Sequence, residues 1–195
     1  MQATIPSRVI TGRVLPRSTT WTVVLTVGFA LLTAAAAQVR LPLPFTPVPI
    51  TGQTFAVLLS GAALGATWGA ASQLLYVMLG ALGLPFYAGG GSGWGVVTGA
   101  TGGYLMGFIV AAFVVGTLAE RHQDRTVFGA IPTFLTGNLI IYAIGVPWLY
   151  FAADSITTGE AAISAGFAPF IAGDVIKIVV AGLLLPTAWK LTGRH

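Results

Sequence analysis

The chain has 195 residues, of which 55% are hydrophobic and only 7% are charged. Soluble domains carry charge on about 25% of their residues, so this composition excludes a soluble globular domain and predicts a protein that lies in a lipid bilayer. The net charge of +4 is spread along the chain without a dense basic patch, so nucleic acid is not an expected partner, and the absence of cysteine excludes disulfides and thiolate sites.

Six apolar segments follow an N-terminal tail of about residues 1–20. They lie at about residues 21–39, 53–65, 68–84, 99–119, 127–153 and 167–189. A membrane-spanning helix needs roughly 20 residues, so the second segment needs either added length from its flanking loop or shelter inside the protein. The predicted fold class is all-α, a single polytopic membrane domain over residues 1–195 with six transmembrane helices.

The distribution of lysine and arginine predicts the orientation. With both termini in the cytoplasm, seven basic residues lie on the inner side and only Arg40 lies in an outer loop, as expected for a multi-pass protein of the cytoplasmic membrane. The inner residues are Arg8, Arg13, Arg17, Arg121, Arg125, Lys190 and Arg194. Five crossings would place the two tails on opposite sides and remove this asymmetry.

Two predicted outer connections have unusual composition. Residues 40–49 contain four prolines, which favour extended backbone, and residues 85–98 form a Gly-rich and apolar outer loop. Irregular backbone this apolar is best placed at membrane depth over a cavity, where its amides can face a ligand. The alternative is a flexible connector. Gly91 and Ser92 are the candidate ligand-binding residues in this loop.

Asp174 and Lys177 are the most informative polar residues. A spacing of three places them on one face of the sixth helix. Each charge at bilayer depth costs about 2.5–3.5 kcal/mol, so such residues are candidates for a functional site. A carboxylate that only accepts and an ammonium that only donates suit a ligand with both N–H and C=O groups. The alternative is a structural ion pair near the outer interface, with Lys177 extending toward water.

The remaining ligand-binding candidates each have an ordinary structural alternative. Asn138 either contacts a ligand or bridges helices, and Gln53 either caps the second segment or lines a pocket. Arg40 either attracts an anionic group or has no specific role. Four aromatic residues form either a wall around a flat ligand or part of an interfacial belt: Tyr87, Trp94, Tyr104 and Trp148.

Reaction chemistry is not predicted. The stretch Gly90-Gly91-Ser92-Gly93 matches a pattern of rhomboid-like intramembrane proteases, whose serine needs a base within hydrogen-bond reach. The histidines of the chain, His122 and His195, fall on the predicted inner side. The few acids and histidines offer no metal cluster. We therefore expect a binding protein rather than an enzyme.

Small residues recur at every fourth position in several segments, which is typical of closely packed membrane helices. The glycine stripes are Gly61, Gly65 and Gly69, and Gly99, Gly103 and Gly107. An alanine stripe at Ala30 and Ala34 either packs within the fold or docks a partner subunit.

Four stretches of the chain form a recognisable set: Val48-Pro-Ile-Thr-Gly-Gln-Thr-Phe-Ala-Val-Leu-Leu59, Gly80-Ala-Leu-Gly-Leu-Pro85, Gly99-Ala-Thr-Gly-Gly-Tyr104 and Phe170-Ile-Ala-Gly-Asp-Val-Ile-Lys177. In this combination and order they resemble the BioY family, the biotin-binding S components of energy-coupling factor (ECF) transporters. One departure is the Gly-rich loop, which lacks the asparagine that some members use to contact the ligand. A side-chain contact from this loop is then expected only if Ser92 replaces that asparagine.

The resemblance implies a biotin pocket near the outer face, with Asp174 and Lys177 matching the ligand-binding aspartate and lysine of the family. It also implies no cofactor in this chain, because ATP would be used by partner subunits. Those partners would be a transmembrane coupling subunit, met through Ala30 and Ala34, and two ATPase subunits. The residues alone leave open an S component for another small vitamin, a solitary transporter without ATPase partners, and an ion-coupled transporter that uses Asp174.

Overall fold

The structure is a computed structural model that describes residues 4–192. Within this range the backbone forms nine α-helices, two single 3₁₀ turns and one two-stranded antiparallel ribbon. The helices are α1 (Ile10–Val14), α2 (Thr19–Gln38), α3 (Gln53–Leu64), α4 (Ala66–Ala81), α5 (Trp94–Thr98), α6 (Gly102–Glu120), α7 (Val127–Ala152), α8 (Gly159–Gly166) and α9 (Ile171–Leu191). The ribbon pairs β1 (Arg40–Leu41) with β2 (Ile50–Thr51), and the 3₁₀ turns are Ala88–Gly90 and Ala168–Phe170.

Each of the six apolar segments contains one helix, namely α2, α3, α4, α6, α7 or α9. Four helical stretches are long and apolar enough to cross a membrane: Thr19–Gln38, Gly102–Glu120, Val127–Ala152, and Gly159–Leu191, which includes α8 and α9. The chain is therefore a helical multi-pass membrane protein. The short helices that the sequence pattern did not reveal are α1 in the N-terminal tail, α5 at the end of the Gly-rich stretch and α8 before the sixth segment.

Helix α3 is short because it lies inside the protein. Its 12 residues extend about 18 Å, less than the ~30 Å hydrocarbon core, and most of its side chains are buried. It ends at Gly65, whose φ of 83° suits glycine and turns the chain directly into α4. The carboxylate of Glu120 accepts a hydrogen bond from the Ala66 amide at 2.8 Å and caps α4. Shelter inside the protein, one of the two alternatives from the sequence, thus accounts for this segment.

The glycine stripes bring helix backbones into contact around α6, the most buried long helix. A side chain at Gly61 in α3 would collide with the carbonyl of Ala112, and one at Gly103 would collide with Trp148 of α7. A Cβ atom at Gly107 would lie 3.0 Å from the Cα atom of Ile141. The stripes therefore serve packing within the fold, as the pattern predicted.

The alanine stripe also packs inside the chain. Ala30 has an exposed fraction of 0% and Ala34 of 7%, and both belong to a core cluster with Val77 of α4. Of the two alternatives for this stripe, the structure shows intramolecular packing, because α2 turns this face toward α4. Neither alanine is exposed on the surface of α2.

The two ends of the helix bundle differ in charge. Arg121 and Arg125 lie in the α6–α7 loop, at the same end as the α4 N-terminus that Glu120 caps. Lys190 lies at this end too, because its neighbour Trp189 bonds to Asp124 of that loop. The arginines of the N-terminal segment accompany Ile5, which bonds to Thr22 near the start of α2. Arg194 and His195 fall outside the described residues.

Candidate ligand pocket

A cavity of about 270 Å³ lies at the opposite end of the bundle, where α3 and α9 begin. This volume is near the lower end of the ~300–1,000 Å³ typical of small-molecule sites. Its lining comes from the proline-rich ribbon, the Gly-rich segment and helices α3, α6, α7 and α9. The lining residues are Arg40, Pro47, Val48, Pro49, Thr51, Gln53, Thr54, Tyr87, Ala88, Gly91, Val96, Thr101, Tyr104, Leu105, Phe108, Ile141, Tyr142, Phe170, Asp174 and Lys177.

The Gly-rich segment is fixed against α2 and α4 by hydrogen bonds. The side chain of Gln38 donates to the Tyr87 carbonyl at 3.2 Å, and the Tyr87 hydroxyl donates to the Val77 carbonyl at 2.6 Å. The Gly93 amide donates to the Gly80 carbonyl at 2.8 Å. The segment is therefore an ordered wall of the cavity, and the alternative of a flexible connector does not fit these bonds.

Most of the cavity wall is apolar and aromatic. The aliphatic part includes Val48, Leu105 and Ile141. The ring of Tyr142 packs edge-to-face against Tyr104, with centroids 6.3 Å apart, and lies tilted to Phe170 at the same distance. Edge-to-face contacts of this kind hold rings in fixed positions. The wall thus suits a compact ligand with an apolar body.

The polar part of the wall is a cluster of four side chains from three helices. Lys177 of α9 donates to Asp174 Oδ1 at 3.0 Å and to the Thr54 hydroxyl of α3 at 2.9 Å. The Thr54 hydroxyl lies 3.4 Å from Asp174 Oδ1, and the Tyr142 hydroxyl of α7 donates to Asp174 Oδ2. Both charged side chains are largely buried, with exposed fractions of 6% for Asp174 and 18% for Lys177. Their mutual charge and hydrogen bonds offset part of the desolvation cost.

Seven of the eleven ligand-binding candidates from the sequence line this cavity: Arg40, Gln53, Tyr87, Gly91, Tyr104, Asp174 and Lys177. The side-chain amide of Gln53 already has two partners. It accepts from the Thr51 hydroxyl at 2.8 Å and donates to the Tyr76 hydroxyl at 2.6 Å. Gln53 therefore both lines the pocket and fixes the start of α3. The remaining candidates lie elsewhere.

Asn138, Trp94 and Ser92 do not lie on the cavity wall, so this pocket does not support the ligand contacts predicted for them. Asn138 lies one helical turn before Tyr142, buried at 3% exposure, and its amide has no partner among the described residues. Trp94 is 58% exposed, because the short helix α5 turns Val97 inward instead. Ser92 is exposed to solvent, and His122 lies in the α6–α7 loop at the opposite end of the bundle.

Trp148 stabilises the wall without forming it. Its indole Nε1 donates to the Gly99 carbonyl at 2.9 Å, and its ring covers Gly103. It fixes the chain between α5 and α6, next to the lining residue Thr101. The aromatic wall predicted from the sequence is thus formed by Tyr87 and Tyr104, with Tyr142 and Phe170 added.

Thr54 and Tyr142 complete the polar cluster of the cavity wall, and the sequence pattern did not single out either residue. Neither is charged, and threonine and tyrosine occur in membrane helices for many other reasons. One signal was available for each residue. Thr54 follows Gln53 directly, and Tyr142 lies one helical turn after Asn138, on the same face of α7.

Comparison with known proteins places this architecture in a family. The sequence pattern of the BioY family matches residues 9–194. A protein of Thermotoga maritima named biotin transporter BioY is 44% identical over 163 residues, which cover 84% of this chain and 92% of the relative. A Rhodobacter capsulatus protein of the same name is 41% identical over 166 residues, which cover 81% and 87%.

A solved structure shows the same fold. It is the crystal structure of the S-component for biotin from an ECF-type ABC transporter, with a TM-score of 0.80 and 23% sequence identity. The similarity covers 90% of this chain and 95% of that one. From the sequence match over most of its length, this chain belongs to the BioY family.

Proposed function

We propose that this chain binds biotin with high affinity and takes part in its uptake across the cytoplasmic membrane. The observation that carries the proposal is the Asp174–Lys177 pair on the wall of an otherwise apolar cavity, in a member of the BioY family. A mostly apolar pocket with a few placed polar groups is the usual design of a small-molecule site.

The chemistry of biotin fits the cavity wall group by group. Its ureido ring offers N–H and C=O groups, which the carboxylate of Asp174 and the ammonium of Lys177 complement. Its sulfur-containing ring is apolar and suits the aromatic wall around Tyr104. Its carboxylate tail suits the guanidinium of Arg40 at the rim of the cavity.

Calorimetry on the purified chain in detergent tests this proposal. We expect tight binding of biotin, binding of desthiobiotin, which keeps the ureido ring, and no binding of thiamine. Asp174→Asn should weaken biotin binding at least about 100-fold, because a ligand N–H would lose its charged acceptor in a buried site. Asp154→Asn, which changes an exposed acid in a loop, is the matched control and should bind as the wild type does.

Two results would contradict the proposal in different ways. A well-folded chain that binds no biotin would refute the ligand. Tight biotin binding that Asp174→Asn leaves unchanged would refute the role of Asp174 while keeping the ligand.

We further propose that the chain is the S component of an ECF-type transporter, with six crossings and both termini in the cytoplasm. It would carry no nucleotide site itself, and a transmembrane coupling subunit with two ATPase subunits would supply the energy. Biotin uptake that depends on ATP hydrolysis by co-purifying subunits supports this arrangement. Counterflow of biotin by the chain alone, in vesicles without ATP, would favour a solitary transporter instead.

A further inference from the structure

The hydrogen bonds around Asp174 and Lys177 leave few positions for a ligand. An ammonium has three N–H donors, and an ionised carboxylate has about four acceptor positions. Lys177 uses two donors, one on Asp174 Oδ1 and one on Thr54. Because the Thr54 hydroxyl accepts from Lys177, its own proton can point to Asp174 Oδ1, 3.4 Å away. Both acceptor positions of Oδ1 are then filled.

The second carboxylate oxygen, Asp174 Oδ2, has one of its two acceptor positions filled. The Tyr142 hydroxyl donates to Asp174 Oδ2, so a single acceptor position remains there. Lys177 likewise keeps a single N–H. All four side chains line the cavity, so these two positions are available to a ligand.

We propose that Tyr142 and Thr54 are positioning residues that leave Asp174 one acceptor position and Lys177 one donor, so that the pocket selects a ligand edge with an N–H beside a C=O. This inference rests on the proposed function, because a cyclic urea such as that of biotin carries this edge. Three helices meet at the cluster, with Thr54 from α3, Tyr142 from α7 and the charged pair from α9. The selectivity is therefore a property of how these helices pack.

A double-mutant cycle tests whether Tyr142 acts through Asp174. Tyr142→Phe keeps the ring and removes only the hydroxyl, and we expect it to weaken biotin binding about tenfold or more, the size of one hydrogen bond to a charged group. In the Asp174→Ala background the same change should alter affinity less than about twofold, because the oxygen that accepts from the Tyr142 hydroxyl is already absent. A residue that only packs would weaken binding equally in both backgrounds.

Ligand preference gives a second readout that packing alone would not move. In 2-iminobiotin the ureido oxygen is replaced by a nitrogen that carries hydrogen. In the protonated form this nitrogen is a positively charged donor, so it would face the N–H donor of Lys177 without an acceptor between them. The wild type should prefer biotin by at least about 100-fold. Tyr142→Phe frees a second acceptor position on Asp174. The ratio of biotin affinity to 2-iminobiotin affinity should therefore fall about tenfold in this variant.

Matched variants control for folding. Tyr150→Phe lies on the same helix at an exposed position outside the cavity and should bind biotin as the wild type does. For Thr54, the serine variant keeps the hydroxyl and should retain binding, whereas the valine variant should lose about tenfold. Melting temperatures of all variants verify that each one is folded.

The outcomes separate this inference from the proposed function. If the wild type binds no biotin, the proposed function fails and the inference fails with it. If the wild type binds biotin, three results would overturn the inference alone. They are additive effects of the two substitutions in the cycle, an unchanged ratio of biotin to 2-iminobiotin affinity in Tyr142→Phe, and equal biotin affinity of Thr54→Ser and Thr54→Val.

Discussion

A buried ion pair depends on both of its members. Asp174 and Lys177 are 3.0 Å apart and largely enclosed by the fold, so each charge offsets part of the desolvation cost of the other. Removing one member leaves a charge without its counter-ion at bilayer depth, which costs more than removing both.

We therefore expect Lys177→Met to lower the stability of the chain by roughly 2–3 kcal/mol, because it strands the carboxylate of Asp174. Adding Asp174→Asn to this variant should restore part of the loss. Thermal unfolding in detergent without ligand measures both. Lys190→Met, at an exposed position of α9, is the control. A double variant less stable than Lys177→Met would contradict the argument.

The four side chains of the polar cluster differ in how visible they are in the sequence. Asp174 and Lys177 are conspicuous because charges are rare in apolar segments. Their partners Thr54 and Tyr142 are ordinary residues of membrane helices, and they matter only because α3 and α7 pack against α9. Asn138 lies on the same helix as Tyr142, but one turn away from the cavity wall.

Helix α9 carries a second buried contact at its other end. Trp189 lies 15 residues after Asp174, about 22 Å along the helix. Its indole Nε1 donates to Asp124 Oδ2 in the α6–α7 loop at 2.7 Å, and the guanidinium of Arg125 lies over its ring at 4.6 Å. The ligand-facing end of α9 and its far end are thus both attached to other elements.

The pKa of Asp124 is raised because burial disfavours its charged form. The hydrogen bond from Trp189 opposes this effect, and so do the charges of Arg125 and His122. With its pKa above the ordinary value of 3.8, the folded chain binds the proton more tightly than the unfolded chain. Protonation therefore stabilises the fold. This contribution grows as pH falls through the raised pKa toward 3.8 and is lost as pH rises.

Asp124→Asn removes this titration and keeps an oxygen that can accept from Trp189. We expect the wild type to gain stability relative to Asp124→Asn as pH is lowered from 7.5 to 4.5, by at most about 1.4 kcal/mol for each unit by which the pKa of Asp124 is raised. Melting temperatures across this pH range measure the difference. Asp154→Asn, in an exposed loop, should follow the wild type. Parallel pH profiles for wild type and Asp124→Asn would show that the contact does not affect stability.

At the scale of the whole molecule, charge and cavity lie at opposite ends of the bundle. The described basic residues other than Arg40 and Lys177 cluster at the end that holds Asp124 and the start of α2. The cavity opens at the other end, beneath the ribbon and the Gly-rich segment. If basic residues face the cytoplasm, as is typical of membrane proteins, the pocket faces outward.

Single cysteines test this orientation cleanly, because the chain has none of its own. In intact cells, a cysteine at Thr157, in the exposed loop before α8, should react with a membrane-impermeant maleimide. A cysteine at Gln123, exposed in the α6–α7 loop, should react only after permeabilisation. The reverse pattern would invert the topology. Labelling of both cysteines in intact cells would show that α7, which separates them, does not cross the membrane.

The sequence was enough to predict the lipid environment, the six apolar segments and the charged pair that lines the cavity. These features depend on composition and local spacing, and a low charge content or a three-residue interval has the same meaning in any fold. Helix packing selects the side chains that join that pair, and it leaves Trp94, Ser92 and Asn138 outside the cavity. It also turned Ala30 and Ala34 inward, because helix rotation and crossing depend on contacts between residues far apart in the chain, which a single sequence does not display.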